Sequence, residues 1–167
     1  MDNLIAYDEF EGTISIDILR EEVQEQLELY ISSTQEKILR WLLGDNLYFD
    51  FVENESETKY QTLINGDTIV YTYNGVKGKY TGLKDMLKYF TYFYYTRQEV
   101  SSNTSMGETM STSQNGQAVQ NNTKLIDAWN QGVRLYDEAI NYIQYKGETV
   151  YSELDSTELK KINQFGI

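Results

Sequence analysis

The segment "GLKDMLKYFTYFYYTRQEV", Gly82 to Val100, constrains the fold of this chain more than any other stretch. Leu83, Leu87, Phe90 and Tyr94 recur at helical spacing, and Met86 and Phe93 widen the same face. Tyr89, Tyr92 and Tyr95 add apolar bulk on another side. β-propensity alone argues for a strand here. The length, the charged first turn and the i, i+3, i+4 matches argue for a helix. A helix that is apolar over most of its girth must be covered on two sides. One cover can be the chain's own core; the other asks for a second layer or another subunit.

Two further segments supply helices to pack against it. In "DILREEVQEQLELYISSTQEKILRWLLG", Asp17 to Gly44, the residues Leu19, Val23, Leu27, Tyr30/Ile31, Ile38 and Trp41/Leu42 follow the 3.6-residue period. Asp17 is placed as an N-cap, Glu21 and Glu22 suit the positive end of the helix dipole, and Gly44 suits a C′ position. A bend near "SST" is compatible with this pattern. Leu125, Trp129, Val133, Tyr136, Ile140 and Ile143 form a later stripe. The expected start of that helix is Asn122 or Thr123, and Lys146 and Gly147 end it. Gly132 inside it lowers helix stability by roughly 1 kcal/mol against Ala, which points to close approach by a neighbour.

Between these helices, "NLYFDFVENESE" fits a short helix or a strand equally well. "YQTLINGDTIVYTYNGVKGKYTG" predicts a β-hairpin about Asn74-Gly75, because Asn-Gly supplies the positive φ angles of a type I′ turn. The fold class expected is mainly α (α+β): three long helices, a small hairpin and a long polar interhelical loop. The domain reading is one unit over residues 1–147, with a loop or arm over 100–121 and a C-terminal tail over 148–167. Within the tail, "STELKKINQF" suggests a short helix capped by Ser156.

The polar loop is "VSSNTSMGETMSTSQNGQAVQNNT", Val100 to Thr123, with three aliphatic residues and two Met between aromatic segments. It reads as an insert without a partner, a glycosylated stalk, or an arm completed by another molecule. The first twelve residues show no basic n-region and no apolar h-region, so no secretory signal is expected and the sequons at Asn54, Asn103 and Asn121 are coincidental.

Composition removes most catalytic chemistry. The chain of 167 residues holds no Cys and no His, which excludes thiol nucleophiles, imidazole bases, disulfides and nearly all zinc sites. "GVKGKYTG" lacks the spacing of a phosphate loop, with Tyr80 where Ser or Thr belongs. Asp50, Glu53, Glu55 and Glu57 cluster without the calcium-loop pattern or its glycine, so they read as a solvated acidic loop. No catalytic, cofactor-binding or metal-ligating residue is assigned, and the chain is expected not to be an enzyme. The formal charge of -12 is uneven: residues 1–60 hold fifteen Asp/Glu against four Lys/Arg. Binding to a phosphate backbone is disfavoured, because that needs clustered cations.

With those pieces in order, the chain resembles the head–tail connector (adaptor) proteins of tailed bacteriophages, most closely those of crAss-like phages. The resemblance spans residues 15–145 and is carried by "STQEKILRWLLGDNLYFDFV", "YNGVKGKYTGLKDMLKYFTYFYYTR", "TSMGETM" and "WNQGVRLYDEAINYI". Gln35, Leu42, Leu43, Gly44, Gly82, Leu83, Lys84, Thr104 and Gly107 fit its motif positions. It implies a virion subunit of the head–tail neck, made in the host bacterial cytoplasm and assembled as a homo-oligomeric ring, typically a dodecamer, below the portal. The implied partners are further copies of the chain, the portal protein, and tail or further neck proteins. DNA passes through such a ring without specific binding, and no membrane is involved. On this reading Asn103, Thr104, Met106, Gly107, Met110 and Val119 belong to an assembly arm, while Tyr89, Tyr92, Tyr95 and Trp129 form core or interface. The alternative, from a different class, is an acidic DNA mimic that blocks a host nucleic-acid-binding protein with the carboxylates of residues 1–60.

Overall fold

The computed structural model of the chain describes residues 2–102, 114–147, 149–151 and 153–163; at 76, 99–102 and 114–121 it gives the backbone path alone. The protein is mainly helical, with a small antiparallel sheet. Two 3-10 turns, Tyr7–Glu9 and Gly12–Ile14, precede helix α1 (Glu21–Glu53). Helix α2 (Thr58–Asn65), strands β1 (Val70–Tyr73) and β2 (Val76–Lys79), and helices α3 (Lys84–Ser102) and α4 (Gln114–Lys146) follow.

The aromatic helix α3 is the centre of the bundle. Against α1, Tyr95 meets Tyr30 edge-to-face at 5.6 Å between ring centroids, and Lys37 Nζ lies 4.3 Å from the ring of Tyr94. Against α4, Phe90 and Phe93 contact Trp129 at 5.2 and 5.0 Å. A Cβ at Gly132 would lie 3.0 Å from the Phe90 ring, so this glycine lets the two helices close on each other. Both layers that the aromatic girth demands therefore come from the same chain. Leu83, Met86, Leu87 and Phe90 are fully buried, each such side chain contributing about 1.5–3 kcal/mol.

One polar group is trapped in this core. Thr91 is fully buried on α3, and its Oγ1 has no hydrogen-bond partner among the described residues. An unmet buried hydroxyl opposes folding by about 1–3 kcal/mol. Replacing Thr91 by Val keeps the branched shape and removes the hydroxyl. We expect T91V to raise stability by about 1 kcal/mol in urea titration with an unchanged slope; a loss of stability would mean that the hydroxyl has a partner.

Gly44 turns the chain as a C′ glycine would, at φ 74°, but the helix does not end there. It kinks and resumes through Glu53, so the ambiguous "NLYFDFVE" is helical and "SST" is not the point of bending. Leu47, Tyr48 and Phe51 are buried, which is what selects helix over strand in that piece. Asp17 accepts from the Leu19 amide at 3.2 Å just ahead of α1, and Arg20 holds the N-cap position.

Helix α2 is an element that the hairpin reading of "YQTLINGDT" overlooked. Tyr60, Leu63 and Ile64 anchor it on the core, and Gly66 ends it at φ 91°. The hairpin itself is where Asn-Gly placed it: Tyr73 pairs with Val76, and Asn74 and Gly75 take φ 49° and 79°.

Two expectations about the segments around α4 change. The helix starts at Gln114, eight residues before Asn122, and α3 runs to Ser102. Residues 100–102 and 114–121 of the polar stretch are thus helical. A helix already anchored by packing extends at one hydrogen bond per residue, which good helix formers such as Gln and Ala favour. The tail forms no helix over 154–163 and runs extended along α1 and α4. The Asp155 amide donates to the Leu43 carbonyl at 3.4 Å and the Thr157 amide to the Trp41 carbonyl at 2.7 Å. These are among the carbonyls that the break at Gly44 leaves without intrahelical partners. Asp155 sits so close over Gly44 that a Cβ there would lie 2.9 Å from it.

Candidate interaction site

The tail is fastened to α4 by three side chains. The Tyr136 hydroxyl reaches the carbonyls of Trp41 (2.5 Å) and Thr157 (2.8 Å), tying α4, α1 and the tail at one point. Trp129 Nε1 donates to the Lys160 carbonyl at 2.8 Å. Asn130 pairs with both backbone groups of Ile162, each at 2.8 Å. This strap brings Lys161 beside α4.

Along α4, Lys124, Asp127/Ala128, Gln131 and Arg134 recur at helical spacing and share one face. Together with Gly12, Thr13 and Ile14, with Tyr89 of α3 and with Lys161 of the tail, that face lines a groove of about 800 Å³. Its lining holds three cations against one carboxylate, in a chain whose formal charge is -12. Arg134 is steadied by Gln131 (2.9 Å) and Glu138 (3.6 Å). Lys124 and Lys161 enter no salt bridge among the described residues. The groove is thus an open, positively charged trough with an apolar floor at Ile14 and Ala128.

Burial raises the Asp137 carboxyl, which lies within electrostatic reach of Lys161 at the groove; other displaced groups sit at joints between elements. Asp50 is held below the usual carboxylate range by the Tyr60 hydroxyl and then by Lys59, so this one carboxylate of the acidic "DFVENESE" stretch fastens α1 to α2. Asp67 is lowered by the Ile69 amide, then by Lys146 (3.0 Å) and Tyr142 (2.9 Å), and holds the hairpin to α4. Among the described residues, no group of three or more acidic side chains is placed to hold a metal ion. No helix among them is long and apolar enough to cross a membrane.

Of the arm residues, Asn103, Thr104, Met106, Gly107 and Met110 lie outside the described residues; Val119 lies on α4, where only the backbone is described. Tyr92 and Tyr95 are buried within the bundle. Tyr89 is half-buried and walls the groove, and Trp129 is half-buried between α3 and the strap. The cations of the groove were missed in the sequence because they are ten and more residues apart. The repeat at Lys124, Gln131 and Arg134 was the readable sign; the contribution of Lys161 was not.

A family model described as a family of unknown function (DUF6712) matches residues 39–144. No curated protein and no solved structure matches the chain.

Proposed function

We propose the role of this chain, which belongs to the family of unknown function DUF6712, from its own residues: it is a structural subunit of a phage head–tail connector. Copies assemble as a ring below the portal, around the path of the DNA. The observation that carries the reading is where the residues of the resemblance sit. Among the described residues, Gln35, Leu42, Leu43, Gly44, Gly82 and Leu83 are joints of the fold. Gln35 is buried and holds the N-terminal segment, accepting from the Leu4 amide at 2.7 Å and donating to the Asp2 carbonyl at 3.1 Å. Leu42 and Leu43 are fully buried, and Gly44 makes the kink that receives the tail. Gly82 and Leu83 close the turn into α3, with the Leu83 amide donating to the Ile64 carbonyl at 3.0 Å. Residues fixed by such constraints mark a shared architecture better than exposed ones do.

The acidic surface suits this role, since an acidic wall can surround DNA without gripping it. Purified chain mixed with its portal protein should give ring-shaped complexes by negative-stain microscopy and a matching sedimentation species. The second reading, an acidic DNA mimic, is favoured by one feature: Glu21, Glu22, Glu25 and Glu28 are exposed and enter no salt bridge among the described residues. A salt-sensitive complex with a host DNA-binding protein, and none with the portal, would replace the connector reading with that one.

A further inference from the structure

The molecule carries two surfaces of opposite sign on different elements, a cationic groove in which Arg134 is paired with Glu138 and Lys161 is near Asp137, and an acidic helix start. The first is the groove of Lys124, Arg134 and Lys161, floored by Ile14 and Ala128. The second is the first two turns of α1. There Glu21, Glu25 and Glu28 follow one another at i, i+4 and i+7, with Glu22 beside them, all exposed. Leu29, in line with Glu22 and Glu25, is 72% exposed. An exposed leucine inside a run of unpaired carboxylates is an apolar anchor with a charged rim, the form that interface cores take.

No residue of α1 lines the groove, so the two surfaces belong to separate places on the same molecule. We infer that the groove receives the N-terminal turns of α1 from a second copy of this chain. The carboxylates of Glu21, Glu25 and Glu28 face Lys124, Arg134 and Lys161, and Leu29 covers the floor at Ile14 and Ala128. Asp127, the carboxylate among the lining residues, sets the register by repelling a misplaced glutamate. The occupant is a short acidic segment, because the groove cations form one patch, whereas a duplex phosphate backbone would extend past them along a chain of formal charge -12.

Such a contact is heterologous: each copy offers its α1 to one neighbour and its groove to another. Heterologous contacts close into a ring when the rotation permits and otherwise extend as a filament. The inference deepens the connector reading by naming its subunit contact and rests on that reading for closure alone.

Charge reversal tests it. One variant carries K124E, R134E and K161E; another carries E21K, E25K and E28K, each checked for wild-type circular dichroism. Wild-type chain should self-associate at about 0.01 M salt and dissociate at about 1 M, where the screening length falls from about 30 to about 3 Å. Each variant alone should associate at least ~100-fold more weakly, since like charges then face each other. Mixed in equal amounts, the two should regain association, because every groove again meets a helix of opposite sign. L29A should weaken the wild-type contact without changing its salt dependence, since it removes apolar area and no charge. Variants that associate like wild type, or a mixture that stays monomeric, would overturn the contact. Rings on the portal that persist in both variants would overturn it too, while leaving the connector reading intact. Duplex DNA retained by the wild type and lost with K124E would assign the groove to nucleic acid instead.

Discussion

Replacing Gly82 by alanine should leave the chain largely unfolded, with a loss of about 4 kcal/mol or more. Gly82 has φ 98°, where a side chain strains the backbone by about 1–3 kcal/mol. A Cβ there would also lie 2.5 Å from the Ile64 carbonyl oxygen and 2.8 Å from the Gly66 amide nitrogen. Neither neighbour can yield cheaply. The Ile64 carbonyl accepts from Leu83, and the adjacent Asp67 amide donates to the Tyr80 carbonyl at 3.0 Å. Gly66 faces the same crossing from the other side, 2.8 Å from the Thr81 carbonyl carbon for a Cβ placed on it. The two glycines let residues 64–67 and 80–83 run backbone against backbone, which closes the loop carrying the hairpin and aims α3 into the bundle. Against a typical domain stability of about 5–15 kcal/mol, that loss should show as a collapsed or absent thermal transition. A variant that melts within a few degrees of wild type would disprove the role given to this crossing.

Alkali should unfold the protein cooperatively. Burial pushes the Tyr60, Tyr80, Tyr136, Tyr142 and Tyr151 hydroxyls above their ordinary value, and all five side chains are at most 2% exposed. Each is also a donor that the fold uses: Tyr80 to the Leu63 carbonyl at 2.7 Å, Tyr151 to the Lys59 carbonyl at 2.8 Å, Tyr142 to Asp67 at 2.9 Å, Tyr136 to Trp41 and Thr157, Tyr60 to Asp50. Ionisation would remove the proton and set a phenolate against an oxygen acceptor. Because the folded-state pKa values are raised, this stabilisation is complete below the unfolded value of about 10 and is lost as the pH rises toward the folded values. Each protonated tyrosine then lowers stability by up to about 1.4 kcal/mol per pH unit. With five acting together, unfolding is expected within one or two units above about pH 10. The tyrosinate absorbance of these five, about a third of the chain's 15 tyrosines, should rise in the same sigmoid as the loss of far-ultraviolet dichroism. Smooth tyrosinate formation with unchanged dichroism would contradict the argument.

The parts of this protein that local chemistry decides are legible in the order of its residues. The periods of α1, α3 and α4 announced three long helices, because a 3.6-residue repeat of apolar side chains leaves few other ways to bury them. Asn74-Gly75 announced the hairpin, because few residue pairs accept two positive φ angles. Gly132 announced a close neighbour, and Phe90 is that neighbour. The absence of Cys and His excluded whole classes of chemistry before any fold was known.

Tertiary structure alone decided the rest. The aromatic helix asked for a second layer or another subunit, and α1 and α4 supply layers on both sides within the chain. "STELKKINQF" has a helix's local pattern, but the carbonyls freed at Gly44, more than a hundred residues earlier, draw its amides into an extended strap. The groove depends on that strap, since Lys161 joins Lys124 and Arg134 only when Trp129 and Asn130 hold the tail in place. Periodicity reports which side chains must leave water; it carries no term for which distant backbone group will meet them. Hydrogen bonds and charges that join residues remote in sequence exist only once the bundle has brought them together, so the cationic groove was written by packing.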